Sequence, residues 1–204
     1  MMDGNMFNSD YYATSVELGT KFQLENKSWD GRDTFKYRIQ IRDLVQHYNC
    51  KTLLDYGCGK GHQWSDSHIF LPEEYSQKFQ TWLGIDQVSL YDPCVEEFAQ
   101  EPEQKKYDIV SCTQVIGSIP DADIPWLKLR LMSYTGKVCF IGLIDPTRPP
   151  KGKKQIYDPE YFSVKRTEEW YREQFADWTG SDLHWYVRTE ALYTNDWFKK
   201  GKNF

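Results

Sequence analysis

The chain has 204 residues, of which 40% are hydrophobic and 27% are charged, and its net charge is −5. This length predicts one domain with a full hydrophobic core, and the composition is that of a globular protein. The acidic balance disfavours tight nonspecific DNA binding but leaves room for a nucleic-acid substrate bound through a local basic patch. No apolar run is long enough to span a membrane, and the first residues lack the apolar stretch of a signal peptide.

The chain contains five cysteines, an odd number, and no two of them have C-x-x-C spacing. Most of them fall in or beside predicted strands. We therefore expect reduced core thiols in a cytoplasmic protein, and we expect no metal site. The five are Cys50, Cys58, Cys94, Cys112 and Cys139.

Helical and strand patterns alternate along the chain. Residues 1–30 are expected to form an N-terminal arm, irregular with a short helix, and residues 31–204 a single domain. Apolar spacing and short apolar runs predict helices at 33–48, 73–83, 124–133 and 167–175, and strands at 51–56, 88–91, 109–112, 137–144 and 183–192. This order predicts an α/β fold with a mostly parallel sheet, whose ligands bind beyond the carboxyl ends of the strands.

The most informative segment is Leu53–Gly61, with the sequence LLDYGCGKG. A buried strand ends in Asp55, and three glycines follow at alternate positions, where they let a ligand lie against the backbone. The pattern D-x-G-x-G-x-G differs from the dinucleotide pattern G-x-G-x-x-G. An acid beside the ligand repels phosphate and attracts a cation. We therefore expect a nucleoside with a positively charged tail.

The second strand ends at an acid, and two acids compete for that position. Val88–Tyr91 is the better β run, is stopped by Pro93, and places Asp92 at the strand end. Asp86 is the alternative, because residues 83–85 are also apolar. An ionised acid at this position accepts ligand hydroxyls in charge-assisted hydrogen bonds.

Three elements in order resemble class I S-adenosylmethionine-dependent methyltransferases: the glycine loop, the strand ending in YDP, and residues 107–116. The motifs DYGCGKG and YDP are most similar to those of small methyltransferase-domain proteins of bacteria and their phages. The resemblance implies a Rossmann-like fold with a C-terminal antiparallel strand pair, and S-adenosylmethionine as cofactor. It places the motif acid near the methionine amino group, the glycines at the methionine and ribose, and the second acid at the ribose hydroxyls. The implied cofactor-binding residues are Asp55, Gly57, Gly59, Gly61, Asp92, Thr113 and Gln114.

The loop after the third predicted strand departs from the family pattern. Many relatives have an acid where this chain has Gln114, and a Glu-His pair where it has Gly117 and Ser118. No catalytic residue can therefore be assigned there. His62 and His68 follow the glycine loop and are expected to be solvated or structural rather than general bases.

The acceptor side is less defined. We expect substrate contacts in 1–30, 62–72 and 145–160, and the favoured acceptor is a small molecule. The basic loop at 148–154 keeps a nucleic-acid acceptor open, and the altered loop after Gln114 keeps open a cofactor-binding module without turnover. The aromatic residues of the C-terminal part are expected to be core rather than a stacking platform.

Overall fold

The computed structural model describes residues 10–26, 30–65, 78–144 and 166–188. Its helices are α1 (Asp10–Asn26), α2 (Arg38–His47), α3 (His62–Ser65), α4 (Phe79–Leu83), α5 (Ile124–Tyr134) and α6 (Glu168–Gln174). Its strands are β1 (Thr52–Tyr56), β2 (Gln87–Tyr91), β3 (Tyr107–Thr113), β4 (Thr135–Ile144) and β5 (Asp182–Arg188).

The five strands form one sheet in the order β2-β1-β3-β4-β5, and every neighbouring pair is parallel. The predicted α/β class and the mostly parallel sheet are confirmed. The expected C-terminal antiparallel pair is absent from the described residues, because β5 runs parallel to β4, with Asp182 opposite Val138. The alternating pattern of β5 indicated a strand, but a strand's direction depends on the connection that precedes it.

The strand order reverses at β1, which has β2 on one side and β3 on the other. The connections that leave the sheet at this point diverge, so a crevice opens beyond the carboxyl ends of β1 and β3. Leu53 pairs in register with both Val88 and Ile109. The register places the ends of the three strands side by side at one edge, which is the edge of the predicted ligand site.

The sheet has a hydrophobic core on each face, which explains why its central strands are continuous apolar runs rather than alternating ones. On β3, Val110 and Cys112 belong to the core built with α5 and α6, whereas Ile109 belongs to the core built with α2 and α4. All three are fully buried. The two-sided burial fixes the register of β3, and with it the position of Thr113 at the edge.

The helices differ from prediction mainly at their beginnings. The N-terminal arm contains a 17-residue helix, α1, where only a short one was expected. The predicted helix at 33–48 begins as a 3-10 turn over Thr34–Tyr37 before α2. Helix α4 ends at Gly84 in the left-handed conformation, as predicted. Thr167 caps α6 by accepting a hydrogen bond from the amide of Trp170 at 3.2 Å.

Some predictions fall outside the described residues. These are the first part of the helix at 73–83, His68, the basic loop at 148–154, the whole of the expected substrate-contact segment 145–160, parts of the segments 1–30 and 62–72, and the last residues of the strand at 183–192. Within the ranges that the structure describes, no helix is long and apolar enough to cross a membrane.

Candidate functional site

A cleft lies at the carboxyl edge of the sheet, with about 870 Å³ of empty space that includes open solvent at its mouth. Five of the predicted cofactor-binding residues line it, namely Gly57, Gly59, Asp92, Thr113 and Gln114. Asp55 and Gly61 lie behind the lining. The topology thus brings the predicted residues together at the cleft, five of them in its lining and two buried outside the lining.

The glycine loop is held against the end of β2. The amides of Gly57 and Cys58 both donate to the carbonyl of Tyr91, at 2.7 and 3.0 Å. Gly57 has a φ of 85°, and a Cβ at this position would overlap the side chain of Val115. This glycine is therefore required by the packing of the loop after β3 as well as by its own conformation.

A second glycine contact was not foreseen from the sequence. Gly31, with a φ of 76°, lies so close to Gly61 that a Cβ on Gly31 would overlap the Gly61 amide. The amide of Gln63 donates to the Gly31 carbonyl at 3.1 Å. The segment from Gly31 to Thr34 therefore packs directly on the glycine loop and forms one wall of the cleft.

Asp92 lies at the carboxyl end of β2, with 8% of its surface exposed, and its side chain lines the cleft. One carboxylate oxygen accepts from the Gly59 amide at 2.8 Å, and the other accepts from the Cys94 amide at 2.9 Å. Each oxygen keeps a further lone pair for a ligand. Burial raises the pKa of Asp92, and the two backbone hydrogen bonds oppose that rise.

Asp86, the alternative to Asp92, lies at the opposite edge of the sheet. It precedes β2, its side chain is exposed, and its amide donates to the carbonyl of Lys51 just before β1. The predicted second strand and its terminal acid are therefore where the sequence placed them, and Asp86 is remote from the cleft.

Asp55 is fully buried and hydrogen-bonded on all sides. One carboxylate oxygen accepts from the hydroxyls of Thr34 and Ser111, each at 2.8 Å. The other accepts from the Gln63 side-chain amide at 2.9 Å and from the Trp64 indole at 2.8 Å. Burial raises the pKa of Asp55, and these four donors oppose the rise. The buried carboxylate thus connects Thr34, in the wall of the cleft, to Gln63 and Trp64 of α3.

Thr113 and Gln114 end β3 in different ways. The hydroxyl of Thr113 is 2.8 Å from that of Thr34, and both residues line the cleft. Gln114 has a left-handed backbone with a φ of 60°, unusual for a residue with a side chain, and its side-chain amide donates to the hydroxyl of Tyr37. Such conformations concentrate at functional sites.

No cationic side chain pairs with Asp55 or Asp92 within the described part of the chain. Every donor to these two carboxylates is neutral. Asp33, the third carboxylate of the cleft, forms an ion pair with Lys36. The described residues therefore provide no counter-ion for two buried carboxylates, Asp92 in the lining of the cleft and Asp55 behind it, and this arrangement attracts a cationic ligand.

Several lining residues were missed by the sequence analysis. Gly31 and Asp33 belong to a polar stretch that the sequence predicts only as a turn and the start of a helix, whereas Ser15 and Val16 of α1 lie within the segment 1–30, where substrate contacts were expected. The glycine at position 31 was the one available signal. Trp126, at the start of α5, carries no motif.

The remaining predicted candidates lie away from the described cleft lining. His62 begins α3 and does not line the cleft. Of the C-terminal aromatics that the structure describes, Trp170, Tyr171, Trp178 and Trp185 pack in or against the core on the α5 side of the sheet, as expected. Tyr186 departs from the expectation, because it is exposed, with its ring edge against Tyr37. The cysteines are unpaired, and burial raises the pKa of Cys94 to about 12.

The comparisons with known proteins agree with this geometry. A family model for a methyltransferase domain matches residues 35–132, a span from the 3-10 turn through most of α5. No curated protein and no solved structure matches the chain. The matched span contains the glycine loop, Asp92 and the end of β3. The chain therefore contains a methyltransferase domain, and the match supports the class I S-adenosylmethionine-dependent methyltransferase family that the motifs resemble.

Proposed function

We propose that this protein transfers the methyl group of S-adenosylmethionine to a small-molecule acceptor. The observation that carries the proposal is the pair of buried carboxylates, Asp55 and Asp92, which no described cation neutralises. S-adenosylmethionine carries a sulfonium and an ammonium group, and it is a nucleoside with hydroxyls for Asp92. A phosphate-bearing dinucleotide would instead be repelled.

The lining of the cleft suits each part of this cofactor. Asp92 has free acceptor positions for the ribose hydroxyls, beside the backbone of Gly59. Pro93, Ile119 and Trp126 supply apolar surface for a flat base. Thr113 and Gln114 lie two strands away from Asp92, about 10 Å at the usual strand spacing, where the amino-acid part would lie.

The chain's contribution to the reaction is alignment and exclusion of water. The cofactor supplies an already activated methyl group, so that the acceptor must be held in line with the departing thioether. Among the described lining residues there is no histidine, lysine, arginine or glutamate to act as a base, and of the two aspartates Asp92 is assigned to the ribose and Asp33 is paired with Lys36. We infer that the acceptor reacts as an existing nucleophile, such as an amine or a thiolate.

A small molecule is favoured over nucleic acid because the described lining offers no cationic side chain for phosphates, and two uncompensated carboxylates would oppose them. The unpaired, buried cysteines favour a reducing, cytoplasmic setting. A cofactor-binding module without turnover is the second candidate, and the loop after Gln114, which departs from the family pattern, favours it.

Calorimetric titration with S-adenosylmethionine and S-adenosylhomocysteine tests the cofactor assignment. We expect micromolar binding of both, and a folded protein that binds neither would contradict the proposal. Incubation with radiolabelled cofactor and a panel of small amines, thiols and phenols then separates enzyme from module. Transfer of label to any of them supports the enzyme. Binding of a short single strand that weakens steeply with salt would instead indicate a nucleic-acid acceptor.

A further inference from the structure

The hydrogen bonds around Asp55 have a fixed direction. Trp64 can only donate, because an indole has no acceptor. Gln63 presents its amino group to Asp55 because its side-chain oxygen is already occupied by the Phe35 amide, at 2.8 Å. Two of the four partners therefore cannot accept a proton from Asp55. Four donors fill the acceptor positions of an ionised carboxylate.

This ionised carboxylate determines the orientation of two hydroxyl groups in the cleft wall. Thr34 has a single hydroxyl hydrogen, and the charged oxygen of Asp55 is its strongest acceptor, at 2.8 Å. Between Thr34 and Thr113, also at 2.8 Å, the hydrogen must then come from Thr113. The order is Thr113 to Thr34 to Asp55, and the oxygen of Thr113 keeps only lone pairs for the cleft.

We propose that Asp55, Thr34 and Thr113 form a directional hydroxyl relay that makes Thr113 an obligate acceptor and selects a ligand with a protonated amine at that point of the cleft. This inference rests on the proposed function and deepens it. Asp55 is a positioning residue, which acts on the ligand through two hydroxyls. Thr113 is the residue that determines specificity.

Asp55→Asn is predicted to reverse the relay with little change of shape. Gln63 and Trp64 cannot accept, so the new side chain must turn its oxygen to them and its amino group to Thr34 and Ser111. Thr34 then accepts from position 55 and donates to Thr113. The hydrogen of Thr113 is released into the cleft, where it opposes an ammonium group.

The test compares two ligands that share the nucleoside and the thioether. S-adenosylhomocysteine has the charged amine, and 5′-methylthioadenosine lacks the whole amino-acid part. In calorimetric titrations we expect Asp55→Asn to weaken the binding of S-adenosylhomocysteine by about 10-fold or more, because a hydrogen bond to a charged group is lost. Binding of 5′-methylthioadenosine should change by less than about 3-fold, because only the ammonium contact is lost.

Three variants complete the design. Thr113→Val removes the acceptor and leaves the four donors to Asp55 in place, so it should show the same split between ligands even where Asp55→Asn fails to fold. Thr113→Ser restores the hydroxyl and should restore the binding ratio. Asp108→Asn is the matched control, an aspartate of β3 at the opposite edge of the sheet, and should leave both affinities unchanged.

The outcomes are distinguishable. Equal weakening of both ligands by Thr113→Val, or no weakening of either, would overturn the relay while leaving the cofactor assignment intact. Failure of the unaltered protein to bind either ligand would overturn the proposed function itself. Selective loss of S-adenosylhomocysteine with recovery in Thr113→Ser would establish the relay.

Discussion

Carboxylates at the carboxyl edge and at the amino edge of the sheet lie in opposite electrostatic environments. At the carboxyl edge, Asp55 and Asp92 are buried, and among the described residues all their hydrogen-bond donors are neutral groups. At the amino edge, Asp108 is half-buried, accepts from the amide of Lys51 at 2.7 Å, and pairs with the ammonium of Lys137 at 2.9 Å. One edge keeps its negative charge available, and the other neutralises it within the protein.

This difference separates a site from a scaffold. A buried carboxylate without a counter-ion disfavours the folded state, and a fold retains it where a ligand compensates the charge. A carboxylate paired with lysine at the surface contributes little and binds nothing further. The predictions below contrast residues of the carboxyl edge with residues of the amino edge.

The largest effect is expected for Gly57→Ala against Gly84→Ala. Both glycines have positive φ, 85° and 81°, but a Cβ overlaps Val115 at the first and meets no atom within 4 Å at the second. We expect a loss of about 2–5 kcal/mol in unfolding free energy for Gly57→Ala, from strain and overpacking, and about 1–2 kcal/mol for Gly84→Ala. Urea unfolding measures both. Equal losses would show that Val115 moves away freely.

The second comparison concerns Asp92→Ala and Asp86→Ala. Asp92→Ala removes an ionised acceptor from the cleft and should weaken the binding of S-adenosylhomocysteine by about 10- to 150-fold. Asp86 is exposed at the amino edge, so its replacement should leave affinity within about 2-fold. Titration calorimetry decides between them. Similar effects, or the reverse order, would mean that the ribose is held elsewhere.

The third prediction concerns pH. Protonation of Asp92 in acid should weaken ligand binding and increase the unfolding free energy. Burial raises the pKa of Asp92, so protonation begins above the ordinary value of about 3.9. Ligand affinity then falls as pH falls through the raised pKa. The same shift increases the unfolding free energy as pH falls, because the folded state binds the proton more tightly than the unfolded state.

Titrations and urea unfolding across the acidic range measure both quantities. Asp92→Asn, which is neutral at every pH, should reduce both dependences, and the change in stability that remains is assigned to Asp55, whose pKa burial also raises. An unchanged pH dependence of binding in this variant would assign the titration to another group.

The smallest effect is expected at the amino edge itself. Burial raises the pKa of Asp108, but hydrogen bonds from the Lys51 amide and from Lys137 outweigh it and hold the pKa below its usual value. The resulting stability is present above the unfolded pKa and is lost as pH falls through the folded one. Lys137→Met should reduce the unfolding free energy by less than about 1 kcal/mol, and salt should remove the difference. Weaker cofactor binding by Lys137→Met would contradict the view that the amino edge takes no part in ligand binding.

The sequence predicted the strands well because each is a short segment rich in apolar residues, continuous at 137–144 and alternating at 183–192. The observed bounds of β2 and β3 differ from prediction by at most two residues at either end. The choice of Asp92 over Asp86 also followed from local pattern, since a β run stopped by Pro93 is visible in the sequence. These features depend on neighbouring residues alone.

The wall of the cleft could not be predicted in this way. The role of Gly31 depends on a contact with Gly61, and that of Asp55 depends on Thr34, 21 residues earlier, and Ser111, 56 residues later. Such contacts arise only when the sheet has formed. The sequence identified Asp55 as part of the site, but its position behind the wall follows from partners that no local pattern reveals.

The hydrogen bond between Thr34 and Thr113 joins residues 79 positions apart, and the one between Gln114 and Tyr37 joins residues 77 apart. Contacts of such sequence separation form slowly, because a long loop must close before they contribute. The cleft is therefore expected to be among the last regions to form during folding. A ligand that requires it binds only the finished fold, so cofactor present during refolding should act late, by slowing unfolding.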